Sequence, residues 1–322
     1  MFYNSISNIV AWPNIKDSKT SFTHIINPFK DTKTSKHETI QSLTFHGIAK
    51  AKKLTESTKV DVLCAVYPED KSIVQNDFLC KDFLCKEILL RSVSDEYSFN
   101  YPKKLPFIFD ILNAGSDDEY DKQDNNYVIY TNIDIIPLPF FYETISNLVN
   151  KGIDSIIINR RTVSKDWCSQ NFNPLIFSEI GRKHGGFDCF IFKRSLLKNF
   201  VRSDACIGAG GVMMSLLFNL VALSDKIAII PDAHLTCHVG DDRLWAHPKF
   251  KDYTYHNKLE AQKVAKQLAE SSALCKKRLA AFAVESDNQL LLDLLGMKNY
   301  KGKIKKKMRK AVKNIVDDYL RS

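Results

Sequence analysis

Tyr127-Val128-Ile129-Tyr130-Thr131-Asn132-Ile133-Asp134, continued by Ile135-Ile136-Pro137-Leu138-Pro139-Phe140-Phe141-Tyr142, decides the fold. A β-branched and aromatic run of this length reads as a buried strand. It ends in a polar Asn-x-Asp, and a helix begins a few residues later. In an extended chain Asn132 and Asp134 point to one side and Ile133 to the other. Two oxygen-bearing side chains are then presented at the carboxyl end of a strand, where open α/β sheets bind ligands. Carboxylate and amide oxygens suit a hard cation such as Mg²⁺ or Mn²⁺, whose shell phosphate oxygens usually complete. A strand-end Asp is also an ordinary turn or N-cap residue, so the tripeptide alone leaves both readings open.

Strands and helices alternate outward from this point. Residues 1–21 are polar and irregular, with Trp12-Pro13 the one anchor. Phe22 to Asn27 reads as a short buried strand ended by Pro28, residues 39–53 as a helix, and Val60 to Tyr67 as a second strand stopped by Pro68-Glu69-Asp70. A helix over 71–89, a third strand over Ile88 to Val93 and a helix from Pro106 to Leu112 are expected next. The helix after Asp134, Pro139 to Asn150, has Gly152 as its cap, and Asp154 to Asn159 is another buried strand. Further on, Gly185 to Phe192 alternates as a strand does, with Lys193-Arg194 opening a helix. Gly208-Ala-Gly-Gly211 leads into an apolar helix, Val212 to Leu223. Ile227 to Ile230 and Ala233 to His238 are strands, and 256–285 is helical. This order predicts an α/β fold with a mostly parallel, Rossmann-type sheet, right-handed crossovers and helices on both faces. No Gly-x-Gly-x-x-Gly follows the first strand and no Walker loop occurs, which argues against dinucleotide and P-loop folds.

The chain of 322 residues is 44% hydrophobic and 11% aromatic, as expected of a folded domain with a sizeable core. No stretch approaches ~18 uninterrupted apolar residues, so no membrane span is expected. Residues 1–10 lack the basic flank and apolar run of a secretory signal. Eight cysteines without a Cys-x-x-Cys pair lie mostly in apolar runs, which favours a reducing, cytoplasmic setting. The net charge of +9 is local: Lys298, Lys301, Lys303, Lys305, Lys306, Lys307, Arg309, Lys310 and Lys313 account for all of it. A general nucleic-acid-binding surface is therefore not expected. Ile304, Met308, Ala311, Val312, Ile315 and Tyr319 fall at helical spacing among those lysines. Residues 298–322 are thus expected to form a basic amphipathic helix suited to peripheral contact with an anionic membrane face, or a surface helix with a solvated charged side.

Several residues carry candidate chemistry. His238, in His234-Leu-Thr-Cys-His238-Val-Gly-Asp241-Asp242, could complete a metal shell with Asp134 or serve as a strand-end hydrogen-bonding histidine. A zinc pair of His234 and His238 on a helix is disfavoured, because Pro231 and Thr236 argue for extended chain. Asn27-Pro28 and Glu69-Asp70 end parallel strands on the edge that carries Asp134, where they could contact a nucleotide base or ribose, or simply make turns. Arg160-Arg161 could neutralise a diphosphate or orient an acceptor, with one of the two expected to be solvated. Gly185-Gly186-Phe187-Asp188 is a small-residue turn before a strand with an acid. Trp245 could stack on a sugar ring or close a core edge.

Taken in order, Asn27-Pro28, Glu69-Asp70, Asn132-x-Asp134, Gly185-Gly-Phe-Asp188 and His238 resemble the motifs of glycosyltransferases with the GT-A fold, over roughly residues 22–250. Asn132 stands where the family's Asp-x-Asp has its first acid. The resemblance implies a metal-dependent enzyme moving a sugar from a nucleotide-diphosphate donor to a carbohydrate, lipid-linked or other hydroxyl acceptor. It makes Asp134 and His238 ligands of Mn²⁺ or Mg²⁺, with Asn132 a ligand or a water-mediated contact. The implied division is an irregular segment 1–21, a catalytic domain 22–250 with a nucleotide-binding half (22–160) and an acceptor half (161–250), and a helical extension 251–322. The Glu-Asp pair that inverting members often carry is missing, and Ala205-Cys-Ile-Gly-Ala-Gly-Gly211 stands about where it would be. Asp188, Asp241 and Asp242 are the remaining candidates for a general base. Two other readings stay open: a nucleotidyltransferase on a similar sheet, and a non-catalytic GT-A-like binding protein.

Overall fold

In the computed structural model the described residues are 2–3, 20–31, 35–56, 58–115, 125–169, 172–241 and 246–297. Asp242, Trp245 and the basic stretch 298–322 lie outside them. The elements run β1 (Phe2–Tyr3), β2 (Ser21–Ile26), α1 (Ser35–Lys53), β3 (Lys59–Ala65), α2 (Lys71–Asn76), β4 (Leu84–Lys86), α3 (Val93–Glu96) and α4 (Ile108–Asn113). Then come β5 (Asn126–Thr131), β6 (Ile136–Pro137), α5 (Phe141–Val149), β7 (Ser155–Val163), β8 (Arg182–Lys193), α6 (Met213–Leu223), β9 (Ile227–Ile230) and β10 (Thr236–Val239). Three helices, α7 (Lys251–Ser271), α8 (Ala273–Glu285) and α9 (Gln289–Leu294), follow.

One mixed sheet has the order β1-β9-β7-β8-β5-β2-β3-β4, with β10 beside β7 and β6 beside β10. Most pairs are parallel, while β8 lies antiparallel between β5 and β7, and β6 pairs antiparallel with β10. Strand alternation divides the apolar residues between two layers. Val128 and Tyr130 of β5 face one side, where Phe190, Phe192 and the helices α4, α6, α7, α8 and α9 pack. Tyr127 and Ile129 face the other, against Phe45 and Ile48 of α1 and Phe141, Tyr142 and Ile145 of α5. Both faces of β5 are therefore covered, which is why it reads as an unbroken apolar run rather than an alternating one. α6 is buried almost all round, wedged between the sheet and α7 and α8. All eight cysteines are free thiols, six of them buried. Among the described residues no helix is long and apolar enough to cross a membrane.

Several expected elements differ, each for a local reason. The helix expected over 71–89 stops at Asn76, because the Asp77 carboxylate accepts from Leu79 N and starts a separate turn. The third strand is not Ile88–Val93 but the short β4 before it. Ser92 and Asp95 form a capping box that opens α3, and Leu90 is left 84% exposed. The helix over 256–285 is two helices, broken where Ser272 caps α8 by accepting from Cys275 N. Residues 194–199 make only a tight 3-10 turn. Gly152 closes α5 with φ 79°, the left-handed conformation expected of it.

Candidate functional site

The chain leaves β5 at Thr131 and turns at once, Ile135 N donating to Asn132 O at 3.1 Å. Asn132 and Asp134 are thus in a turn, not on one side of an extended segment, and they take different partners. The Tyr130 hydroxyl donates to Asn132 Oδ1 at 3.0 Å. Asp134 instead meets His238, with Oδ2 3.2 Å from Nε2. The pairing of β6 with β10 makes this meeting possible. Ile136 lies opposite Cys237, so the residues just before β6 reach the end of β10.

The polarity of this pair matters more than its distance. His238 Nδ1 lies 2.7 Å from the Gly240 carbonyl, which can only accept, so Nδ1 carries a hydrogen. Gly240, at φ 72°, makes the turn that brings that carbonyl back. In a neutral ring the Nε2 lone pair then faces a carboxylate oxygen, and two acceptors converge on one point. The other oxygen, Asp134 Oδ1, is covered and has no hydrogen-bond partner. Partial burial pushes the Asp134 carboxyl up, but against a protonated His238 the hydrogen bond and charge of that ring, with the charge of Arg160, outweigh this and hold it below the usual carboxylate range.

A second acid sits beside it under opposite influence. Asp188 on β8 is 6% exposed and pairs through Oδ1 with Arg160 Nη1 at 2.9 Å. Register shifts in β7 on both sides of Asn159 place Arg160 here. Burial raises the Asp188 carboxyl, Arg160 opposes this, the Asp134 charge adds to it, and the net shift is upward. Asp188 Oδ2 and Arg160 Nε are buried without hydrogen-bond partners. Arg161 is turned elsewhere, to the Asp232 carboxylate and the Ile180 and Gly181 carbonyls. His184, two pleats from Asp188, lies 3.8 Å from its Oδ2 and 4.0 Å from Asp241 Oδ1 on the exposed rim. Neither His184 nor Tyr130 stands out in the sequence. The alternation 184, 186, 188 along β8 is the signal that would have placed His184.

The edge residues of β2 and β3 are engaged by neighbours in the fold. Asn27 Nδ2 donates to Ala65 O at 2.7 Å, and Pro28 beside it is buried. Buried Asp70 accepts from Lys30 N at 2.8 Å, while exposed Glu69 pairs with Lys104. They share the carboxyl edge of the sheet with Asp134, but no hydrogen bond or ion pair among the described residues joins them to it. His234 is turned to the Glu179 carbonyl, away from His238. Among the described residues no three His, Cys, Asp or Glu side chains are close enough to hold an ion unaided. Two ligands suit a cation that shares its shell with substrate phosphates and water.

His24 supports the site from below, its ring nitrogens 2.9 Å from Thr131 Oγ1 and 2.7 Å from the Tyr142 hydroxyl. Burial holds its pKa down to about 3 from 6.5. The unfolded chain therefore takes up a proton first as pH falls, and stability is lost from about pH 6.5 downward. Urea denaturation is expected to show about 2 kcal/mol less stability at pH 5 than at pH 8 from this group. His24→Gln should flatten that slope, and an unchanged slope would show His24 is not its source.

No protein-family model matches the chain, and no curated protein matches it significantly. Among solved structures, the chain is similar to S. aureus TarS residues 1–349 in complex with UDP-GlcNAc, at 11% identity and TM-score 0.44, covering 86% of this chain and 80% of that one. It is similar to glucosyl-3-phosphoglycerate synthase from Mycobacterium tuberculosis with Mn²⁺, UDP and glucosyl-3-phosphoglycerate, at 14% identity and TM-score 0.42, covering 76% and 80%. It is also similar to 4-diphosphocytidyl-2C-methyl-D-erythritol synthase from Anaerococcus prevotii, at 10% identity and TM-score 0.36, covering 74% and 98%. At such values the likeness lies in the path of the chain and says nothing about which side chains act.

Proposed function

We propose that this chain is a metal-dependent glycosyltransferase of the GT-A type, using a nucleotide-diphosphate sugar and a hydroxyl acceptor. The observation that carries the reading is the Asp134–His238 pair. In the neutral ring two acceptor atoms converge, the second carboxylate oxygen is buried without a hydrogen-bond partner, and the bond of Nδ1 to the Gly240 carbonyl leaves the Nε2 lone pair open. A divalent cation satisfies all three conditions, and an imidazole ligand favours Mn²⁺ over Mg²⁺. Such a cation would offset the negative charge that grows on the departing nucleoside diphosphate.

The remaining roles follow from placement. Asp134 and His238 hold the cation. Arg160 adds a fixed positive charge under the cleft, with Asp188 keeping it in place. The β2 and β3 ends, with Asn27, Pro28, Glu69 and Asp70, form the edge on which the nucleoside would lie. Asp188, Asp241 and Asp242 remain the carboxylates from which a base would come. Asp188 is buried and ion-paired, which leaves the exposed Asp241 better placed to meet an acceptor. The basic stretch 298–322 would bring the enzyme to an anionic membrane face in the cytoplasm, close to a lipid-linked acceptor.

Calorimetric titration of UDP, GDP and their sugar conjugates, with and without Mn²⁺, tests the reading. Binding that requires Mn²⁺ supports it and identifies the donor base. No binding to any of them in the presence of Mn²⁺ would sink it.

A further inference from the structure

Asn132 holds the position where a carboxylate would give a cation another oxygen, but its amide oxygen already accepts from a buried hydroxyl. Tyr130 is fully buried beneath the turn and donates its hydroxyl hydrogen to Asn132 Oδ1 at 3.0 Å. A neutral phenol has one hydrogen to donate, and here it goes to Oδ1. In a planar amide the oxygen and nitrogen diverge from Cγ, and an oxygen turned down onto Tyr130 turns the nitrogen away from it. Asn132 is half-buried, and its Nδ2 donates to no described residue. We infer that Asn132 presents an outward N–H donor rather than an oxygen ligand, and that its partner is a phosphate oxygen of the nucleoside diphosphate. This rests on the metal-dependent reading above.

Electrostatics favours the same assignment. Asp134 and Asp188 already bring two carboxylates to the site against one nearby guanidinium, Arg160. A third carboxylate at position 132 would repel a diphosphate, whereas a neutral N–H donor attracts it. Tyr130 is the positioning residue: it fixes which end of the amide faces outward, without touching the ligand.

Two measurements separate the roles. Mn²⁺ binding to the protein alone is read from the electron paramagnetic resonance signal of free Mn²⁺. UDP or GDP binding at saturating Mn²⁺ is read by calorimetry, and melting curves verify folding. Asn132→Ala is expected to leave Mn²⁺ affinity unchanged and weaken nucleotide binding about 10-fold, the size of one hydrogen bond to a charged group. Asn132→Asp should bind Mn²⁺ at least as well as wild type but nucleotide 10- to 100-fold more weakly. Tyr130→Phe should weaken nucleotide binding by a smaller factor and leave Mn²⁺ alone. The assignment is overturned if Asn132→Ala loses Mn²⁺ affinity, or if Asn132→Asp binds both Mn²⁺ and nucleotide more tightly. Wild-type protein that binds no nucleotide with Mn²⁺ would remove the transferase reading and this inference together.

Discussion

Asp134→Ala is expected to weaken Mn²⁺-dependent nucleotide binding by at least about 100-fold, without lowering the melting temperature. Losing even an outer partner of a metal ligand costs about 10- to 100-fold, and Asp134 is one of only two proposed protein ligands. Stability should behave differently because the carboxylate is poorly satisfied in the fold. Its Oδ1 is buried without a partner, and its Oδ2 faces an imidazole nitrogen that, in the neutral ring, is also an acceptor. Removing such a group relieves strain rather than breaking a bond. Asp134→Asn is the sharper variant, because an amide N–H can donate to His238 Nε2. It should melt at or above the wild-type temperature while losing the cation. If both variants melt well below wild type and still bind Mn²⁺ and nucleotide, Asp134 is a structural residue.

Arg160→Ala should destabilise the fold by about 3–5 kcal/mol, the usual penalty for stranding one member of a buried ion pair. The magnitude follows from Asp188, which keeps its carboxyl in the interior after its partner has gone. Replacing both residues with apolar ones, Arg160→Met with Asp188→Leu, should restore most of the loss, since the desolvated charge then disappears with its partner. The pH dependence carries a defined sign. The Asp188 carboxyl is already raised in the folded protein, so the native state holds its proton more tightly than the unfolded chain and gains stability as pH falls. Without Arg160 the shift is larger, and the deficit of Arg160→Ala relative to wild type should shrink between pH 7 and pH 5. Urea midpoints at the two pH values measure this, and an equal deficit at both would assign the loss to packing alone.

The parts of this architecture that were legible in the sequence are those whose signals are local. β5 is covered on both faces, so its residues are apolar without interruption, and its polar end marks the functional edge. The strands β2, β3 and β9 and the helix α6 show for the same reason. What was not legible depends on distant partners. Two residues, Ile136 and Pro137, make too short a strand to show a period, yet their pairing with β10 joins Asp134 to a histidine 104 positions away. The antiparallel direction of β8 leaves no trace in its composition. The turn after Thr131 was masked by β-forming residues on both sides, so Asn132 and Asp134 read as neighbours on one face. Tyr130 read as core, which it is, but the reach of its hydroxyl to the amide two residues on is visible only in three dimensions.

The place of β8 has a consequence for how the protein is made. It lies between β5 and β7, so the neighbours of those strands toward each other are supplied by residues 182–193, translated after both. A nascent chain that has emerged only to residue 163 holds β5 with one open edge and β7 with no β8 or β9 to join. Such edges invite pairing with other chains. β10, which brings His238 to Asp134, emerges later still, so assembly of the cleft waits on the most distant contacts and comes late in synthesis. A nascent chain that has emerged no further than residues 163–182 therefore displays one strand paired along a single edge and another with no partner, a state for chaperones to shield rather than one that folds on its own.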